Sequence, residues 1–252
     1  MQDLKELMVK YPAPAPTTFW NRNRLRLRQH FTNEDHVFGK DFWQWPVLQE
    51  TMCVGLNYIQ DDTKTCLRSP LARYVITECA DNFRYEEYPN LLRQAAHLVN
   101  WMEVTGKEVK DLDCVIEIGG GFGAMLKVLR LFGFEGSYTV LDFPEFHWLQ
   151  EIYTGEEITR IDNLCVPCKW ENSLLVSMWG LSEFPDNRPE FDCMNFSNYL
   201  FAYSPQWNME ANIKAYDNIE YFRQLTEFHK RNWVELSIPN LGENRYLIGW
   251  KE

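Results

Sequence analysis

A glycine-rich segment with a carboxylate on each side of its turn is the part of this sequence best suited to chemistry. The segment reads Val115-Ile-Glu-Ile-Gly-Gly-Gly-Phe-Gly123, and Asp142 follows about twenty residues later. Gly119 and Gly121 allow a tight backbone turn and a close approach to a ligand, because glycine has no Cβ. An acid after the next strand can accept hydrogen bonds from both hydroxyls of a ribose. This spacing predicts a nucleotide-binding site.

The elements expected to position these residues form a β-α-β unit. Cys114-Val-Ile-Glu-Ile118 is a short apolar strand, a helix is predicted over residues 123–132, and a second strand over 138–141. A further helix begins at Pro144, a residue suited to a first turn. The helix after the glycines would present free N–H groups and the positive end of its dipole to a ligand.

The rest of the chain continues the alternation of strands and helices and then departs from it. Further elements are predicted as strands around 164–166, 174–179 and 199–203, a helix over 211–231, and a hairpin of residues 233–238 and 245–250. The hairpin would add antiparallel strands to a sheet that is otherwise parallel. We therefore expect an α/β fold with a Rossmann-like, mostly parallel sheet and an antiparallel C-terminal hairpin.

The N-terminal part of the chain has a different character. Residues 1–106 lack strand alternation and are predicted to be helical. Their best-marked helix begins at Pro89 and ends at Gly106. We expect two parts, a helical region over 1–106 and a nucleotide-binding domain over 107–252.

The glycine pattern alone leaves the class of cofactor open. Gly119-x-Gly121-x-x-Ala124 also fits a fingerprint of proteins that bind dinucleotides, so an NAD(P)-dependent oxidoreductase is one alternative. Glu117 favours a cofactor that carries an amino acid, because a carboxylate suits an ammonium group and would repel a pyrophosphate. A second alternative is a protein that keeps the fold without catalysis, and the intact glycine pattern speaks against it.

The segment from Glu117 to Gly123, Asp142 and the hairpin together resemble the class I S-adenosylmethionine-dependent methyltransferases over residues 107–252. More narrowly, Leu141-Asp-Phe-Pro-Glu145 and Leu181-Ser-Glu183 are similar to segments of sugar O-methyltransferases of bacteria and phages, which usually have leucine where this chain has phenylalanine.

The resemblance implies a cofactor, an acceptor and a set of site residues. The cofactor would be S-adenosylmethionine, bound by Glu117, Gly119, Gly120, Gly121, Gly123, Asp142 and Phe143. Within this set, Asp142 would bind the ribose and Phe143 would lie beside the adenine. The acceptor would be a small molecule or glycan hydroxyl, a sugar above all, facing residues 178–183 and capped by the helical region 1–106.

Methyl transfer to a hydroxyl needs alignment of the reactants and removal of a proton. Glu183 is the first candidate for the base, because it follows a strand whose carboxyl end should open onto the ligand crevice. His147 is the second candidate, because imidazole titrates near neutral pH. Asp186 and His229 are weaker candidates. A divalent metal could assist, but no pattern of ligands indicates one.

The cysteines and the first residues favour an intracellular location. The chain has 7 cysteines at irregular spacings, which is typical of reduced thiols. Cys165-Val-Pro-Cys168 has no second pair of ligands, as a structural zinc site would require. The first residues lack the apolar run of a secretion signal, and no stretch is apolar enough to span a bilayer. We expect a cytoplasmic protein without membrane contact.

The overall charge argues against a nucleic-acid partner. The formal net charge is -11, from 25 Lys and Arg against 36 Asp and Glu, whereas proteins that bind nucleic acid present a basic surface. The one basic run, Asn21-Arg-Asn-Arg-Leu-Arg-Leu-Arg28, is interpreted as a solvated face with salt bridges.

Overall fold

The computed structural model describes residues 8–32, 42–52, 58–82, 87–165, 171–183, 188–207, 216–239 and 241–252. The strands are β1 (Cys114–Ile118), β2 (Ser137–Leu141), β3 (Thr159–Ile161), β4 (Ser173–Met178), β5 (Asn198–Tyr203), β6 (Gln206–Trp207), β7 (Tyr216–Asp217), β8 (Asn232–Ser237) and β9 (Arg245–Trp250). Seven of them form one sheet in the order β3-β2-β1-β4-β5-β9-β8. β6 and β7 pair separately.

The sheet has the topology of the Rossmann-like methyltransferase fold. β3, β2, β1, β4 and β5 are parallel to their neighbours, β9 is antiparallel to β5, and β8 is antiparallel to β9. The predicted fold class, a mostly parallel sheet that ends in an antiparallel hairpin, is confirmed.

Helices cover the N-terminal part of the chain and both faces of the sheet. They are α1 (Phe19–Thr32), α2 (Pro46–Thr51), α3 (Ile59–Cys66), α4 (Pro70–Asn82), α5 (Tyr88–Thr105), α6 (Ala124–Leu131), α7 (Pro144–Thr154), α8 (Gly180–Glu183) and α9 (Asn218–Phe228). Gly106 ends α5 in a left-handed conformation with φ 68°, as expected of a glycine stop. The helical character predicted for the N-terminal part is confirmed over its described residues.

β1 is buried along its whole length, because helices cover the parallel sheet on both faces. Its side chains alternate between two apolar clusters, with Val115 in one and Ile116 in the other. Glu117 shares the face of Val115. The first cluster also contains residues of the N-terminal helices, such as Leu27 and Leu91. The N-terminal region therefore shares a core with one face of the sheet, and the division at residue 106 stays a prediction.

The third strand lies before the predicted one. It is Thr159–Ile161, which pairs with residues 139–141 of β2 at the edge of the sheet. Leu164, whose apolar character suggested a strand, is buried in the second cluster outside any strand. Burial of a short apolar run does not by itself specify a strand. The prediction of a strand at 164–166 was wrong, and Val166 lies outside the described residues.

The helix predicted over 211–231 is shorter. It spans Asn218–Phe228, because the side chain of Asp217 caps it by accepting a hydrogen bond from Glu220 N at 3.0 Å. Residues 211–215 lie outside the described residues. Ile219 and Phe228 are 43% and 55% exposed, since a spacing of three residues drifts around a helix and leaves its buried face.

The prediction of reduced thiols was wrong for two cysteines. Cys165 and Cys193 form a disulfide, because the fold brings their Cα atoms to 4.6 Å from each other. Cys66 and Cys114 are free and buried. Because disulfides are rare in cytosolic proteins, the cysteines do not support the predicted cytoplasmic location. Among the described residues, no helix is long and apolar enough to cross a membrane.

Candidate functional site

A cleft of about 330 Å³ lies at the carboxyl ends of β1, β2 and β4. In an open α/β sheet, ligands bind where neighbouring strands connect in opposite directions, and β1 is such a point because β2 and β4 lie on its two sides. Gly119, Gly120, Gly121, Glu117 and Asp142 all line this cleft. The structure thus brings the two carboxylates and the glycine turn together.

The turn after β1 requires glycine for two different reasons. Gly119 and Gly121 have φ values of 73° and 59°, which side chains disfavour. At Gly120 the limit is space, since a Cβ there would lie 2.9 Å from Gln150 Nε2 and 3.0 Å from Glu117 Oε2. Gly123 does not line the cleft, and it precedes the first residue of α6 with φ 99°.

Glu117 is buried at the cleft floor. Its side chain is placed there by β1, and the residue is only 2% exposed. The hydroxyl of Tyr138, on β2, donates a hydrogen bond to its carboxylate. Burial raises the pKa of Glu117 to about 8, the bond from Tyr138 opposes this shift, and the charge of Asp142 adds to it. Ionised Glu117 would therefore be stabilised by a cationic ligand group.

Asp142 directly follows β2 and is held from two directions. Phe143 N donates to its Oδ1 at 2.7 Å, and Gln150 Nε2 donates to its Oδ2 at 3.1 Å. Burial raises the pKa of Asp142 to about 7, although the amide groups of Phe143, Gly121 and Gly120 and the charge of Arg160 oppose this shift. The carboxylate is thus oriented before any ligand binds.

Gln150, on α7, is a site residue that the sequence analysis missed. It is fully buried, and besides Asp142 its Nε2 contacts the carbonyl oxygen of Gly121 at 3.3 Å. This one amide connects the glycine turn to the acid after β2. A glutamine in a helix carries no local pattern that marks it for such a role.

The segment Asp142-Phe-Pro-Glu145 lines the cleft and also contacts the N-terminal region. Phe143 lines the cleft, and the guanidinium of Arg24 lies 4.6 Å from its ring centroid. Glu145, at the start of α7, accepts hydrogen bonds from Arg24 Nε at 2.7 Å and Arg28 Nε at 2.5 Å. These contacts fix α1 against the cleft.

The interpretation of the basic run as a solvated face was therefore wrong for two of its arginines. The side chains of Arg24 and Arg28 are 13% and 11% exposed and share a carboxylate that is 1% exposed. Arg26 does form the expected exposed pair, with Glu50. Arginines alternate in this run with apolar residues such as Leu27, which is buried. This alternation could have indicated a helix that packs against the protein.

Glu183 reaches the same cleft from the end of α8. Burial raises its pKa to about 8, and the indole N–H of Trp20 opposes the shift. Gly180 makes this position possible, because a Cβ there would lie 2.4 Å from the carbonyl oxygen of Ile118. Trp179, which precedes Gly180 and also lines the cleft, has a φ of 65°, an uncommon conformation for a residue with a side chain.

The other candidate bases are placed elsewhere. His147 does not line the cleft, and its Nε2 contacts the carbonyl oxygen of Ile158 at 2.7 Å. His229 contacts the carbonyl oxygen of Phe191 at 2.8 Å, on the α9 side of the sheet. Asp186 lies outside the described residues. Of the candidates within the described residues, Glu183 is the one that lines the cleft with the glycine turn.

The N-terminal region supplies a further wall of the cleft, through residues that sequence analysis did not identify. Trp20, Met52, Tyr58 and Arg93 line it, together with Asn90 on the same helix as Arg93. Arg93 is the one cationic side chain among the described lining residues. The helical spacing of Asn90 and Arg93 was a possible signal, but it does not show which face of α5 meets the cleft.

A possible metal-ligand group lies away from the cleft. In the described ranges, Glu190, Asp192 and Cys193 are the residues close enough together to share an ion. The two acids are exposed, and Cys193 has no thiolate to offer because it belongs to the disulfide. This group gives no support for a metal in the cleft.

No model of a known protein family matches this sequence, and no curated protein matches it. Solved structures do match. An S-adenosylmethionine-dependent methyltransferase of Aquifex aeolicus has 14% identity and a TM-score of 0.40, over 61% of this chain and 89% of that one. Human N-acetylserotonin methyltransferase, in complex with S-adenosylmethionine, has 12% identity and a TM-score of 0.39, over 90% and 70%.

Mitomycin 7-O-methyltransferase has 15% identity and a TM-score of 0.40, over 84% of this chain and 69% of that one. Similarity at these levels carries no argument about function.

Proposed function

We propose that this protein transfers a methyl group from S-adenosylmethionine to a hydroxyl of a small molecule or glycan, and that a sugar is the acceptor. The observation that carries the proposal is the position of Glu117 and Asp142 on one cleft at the glycine turn. Both carboxylates are buried, and burial raises the pKa of each. A ligand with a ribose, an ammonium and a sulfonium group would offer these carboxylates hydrogen-bond donors and positive charge.

The lining residues fit such a cofactor part by part. Asp142 is oriented to accept hydrogen bonds from ribose hydroxyls, and Phe143 offers an aromatic face for the adenine. Glu117 would bind the ammonium group as a buried ion pair. Gly120 leaves the space between Glu117 and Gln150 that a side chain would fill. When bound, the cofactor supplies an electrophilic methyl group.

Glu183 is proposed as the general base that removes the proton of the acceptor hydroxyl. A base works best when its pKa lies near the working pH, and burial brings that of Glu183 to about 8. Trp20 would hold the carboxylate from the side of α1. The helical region 1–106, whose residues form one wall of the cleft, would cap the acceptor and exclude water.

A dinucleotide-dependent oxidoreductase is the main alternative, and the buried Glu117 argues against it. A pyrophosphate beside the glycine turn would face the ionised carboxylate of Glu117 without a cation between them in the described residues. No such repulsion arises with a cationic amino-acid cofactor.

Thermal unfolding in the presence of each cofactor tests the proposal. S-adenosylhomocysteine at a hundred times its Kd should stabilise the protein by about 2.7 kcal/mol, and NAD(H) and NADP(H) should not stabilise it. Asp142→Asn should lose most of the effect, while Asp111→Asn, at an exposed acid outside the cleft, should retain it. Stabilisation by a dinucleotide alone would overturn the proposal.

A further inference from the structure

Arg93 is a buried cation whose donors are mostly unused. It lies on α5, lines the cleft, and its side chain is only 5% exposed. Its Nε donates to Asp62 Oδ2 at 2.6 Å, and its guanidinium lies 4.6 Å from the ring centroid of Tyr58. Within the described part of the chain, its two terminal nitrogens donate no hydrogen bond that meets geometric criteria.

Such an arrangement leaves donors free for a ligand that enters the cleft. A guanidinium carries five N–H donors in a planar fork, and one of them is used here. The two terminal nitrogens are not among the sealed polar atoms of the described residues, so they are open to the cleft and can donate to a ligand there. The planar fork matches the oxygens of a carboxylate or a phosphate.

The neighbours of Arg93 place it on the opposite side of β1 from Asp142. His97, on the same helix, contacts the ring of Trp179 after β4 at 5.8 Å and forms a hydrogen bond with Tyr246 of β9. Burial lowers the pKa of His97 and the charge of Arg93 lowers it further, whereas burial raises the pKa of Tyr246 and the charge of Arg93 opposes this rise. In the strand order, β4 and β9 lie on one side of β1 and β2 lies on the other side. Asp142 follows β2 directly.

The charges that affect the cleft carboxylates also indicate that Arg93 lies away from the proposed cofactor position. Arg93 is not among the charges that shift the pKa of Glu117 or Glu183, whereas Asp142 does shift that of Glu117. The ammonium and the carboxylate of an amino acid share one carbon atom, so a residue remote from Glu117 is poorly placed for the carboxylate of the cofactor. Arg93 faces the part of the cleft that the N-terminal helices cover.

We propose that Arg93 binds an anionic group of the acceptor, so that the substrate is an acidic sugar or a sugar phosphate. This inference rests on the proposed methyl transfer and adds the charge of the substrate to it. A carboxylate and a phosphate can each offer two oxygen atoms to the planar guanidinium fork. Binding of this group by Arg93 would also set which hydroxyl meets Glu183.

The experiment uses the full chain saturated with S-adenosylhomocysteine and three sugar probes at equal ionic strength. The probes are glucose, glucuronate and glucose 6-phosphate, and the readouts are thermal stabilisation and calorimetric affinity. We expect at least one anionic probe to bind at least tenfold more tightly than glucose. Arg93→Gln should remove this preference and leave the affinity for S-adenosylhomocysteine within about twofold of the wild type.

One further variant addresses folding, a second tests the guanidinium fork, and a third serves as a control. Arg93→Gln leaves Asp62 as a buried acid without its cation, which can unfold a protein. The double variant Arg93→Gln, Asp62→Asn removes both charges and should show the same loss of preference. Arg93→Lys should retain part of the preference, because it keeps the charge without the fork. Arg223→Gln, at an exposed arginine of α9, should behave as the wild type.

The outcomes separate the two proposals. A wild-type protein that binds no S-adenosylhomocysteine would overturn the proposed function, and with it this inference. A protein that binds S-adenosylhomocysteine but prefers neither anionic probe, or whose double variant keeps the preference, would overturn the inference alone. So would a large loss of S-adenosylhomocysteine affinity in the folded double variant, since Arg93 would then serve the cofactor.

Discussion

Gln150 Nε2 lies 3.1 Å from Asp142 Oδ2 and hydrogen-bonds to it, so that a helix on one side of the cleft holds the acid proposed to bind the ribose. The same nitrogen contacts the carbonyl oxygen of Gly121 at 3.3 Å. The position of the glycine turn and that of the acid are therefore coupled through one fully buried side chain. Preorganisation of this kind lowers the cost of ordering a site when a ligand arrives.

Replacing Gln150 tests this coupling. Gln150→Ala should weaken S-adenosylhomocysteine binding by about tenfold, since one hydrogen bond to a charged group contributes about 1.5 kcal/mol or more. Gln150→Glu should weaken it further, because a second carboxylate beside Asp142 raises the pKa of the pair. Calorimetry on both variants provides the measurement. Equal affinity in Gln150→Glu and the wild type would contradict the assigned contact.

Cofactor affinity should depend on pH through the two buried acids. The pKa values of Glu117 and Asp142 are raised to about 8 and about 7, so both carboxyls are largely protonated at pH 6. A cationic cofactor binds their ionised forms, and its affinity should therefore rise between pH 6 and pH 8.5. Glu117→Gln should bind more weakly and with a flatter pH dependence. An affinity that falls with pH in the wild type would contradict this assignment.

Stability should respond to pH in the opposite direction. Because the pKa of Glu117 is higher in the folded protein than its ordinary value of 4.5, the folded state retains a proton that the unfolded state has lost. The ligand-free protein should therefore lose stability as the pH rises from about 4.5 to about 8. Glu117→Gln removes the ionisable group and therefore this loss of stability at high pH.

The free energy of unfolding of Glu117→Gln should match that of the wild type near pH 4.5 and exceed it by more than about 1 kcal/mol at pH 9, since each unit of pKa shift corresponds to about 1.4 kcal/mol. Denaturant titrations at both pH values provide the comparison, with Glu103→Gln, at a partly exposed acid on α5, as the control. A variant less stable than the wild type at pH 9 would show that Glu117 stabilises the ligand-free fold.

The part of the site that could be predicted from the sequence is the part that local rules specify. Glu117 and Gly121 belong to one strand and its turn, and Asp142 follows the next strand, so adjacency in a parallel pair brings them together. Glu183 could be expected at the same edge because it follows β4. Each of these positions depends on the order of strands and not on side-chain packing.

Arg93 and Gln150 could not be found in this way, because each lies on a helix whose orientation is decided by packing. The disulfide was missed for a related reason. Cys165 and Cys193 are 28 residues apart, and no local pattern in the sequence pairs them. The third strand was misplaced because Thr159–Ile161 is a short edge strand without an apolar run.

Glu183 and Trp20 together provide the sharpest test of the proposed chemistry. Glu183→Gln should lower turnover by about a hundredfold or more, the usual contribution of a general base, and change S-adenosylhomocysteine affinity little. Trp20→Phe removes the indole N–H that opposes the raised pKa of Glu183. The pKa of the base should therefore rise further, and the rising limb of the pH–rate profile should shift to higher pH.

The two variants check each other. Loss of activity in Glu183→Gln through misfolding would appear as loss of cofactor binding, whereas Trp20→Phe should keep activity at high pH. Glu190→Gln, at an exposed acid outside the cleft, should leave both the rate and its profile unchanged. Unaltered turnover in Glu183→Gln would remove Glu183 as the base, and an unshifted profile in Trp20→Phe would show that the indole does not tune it.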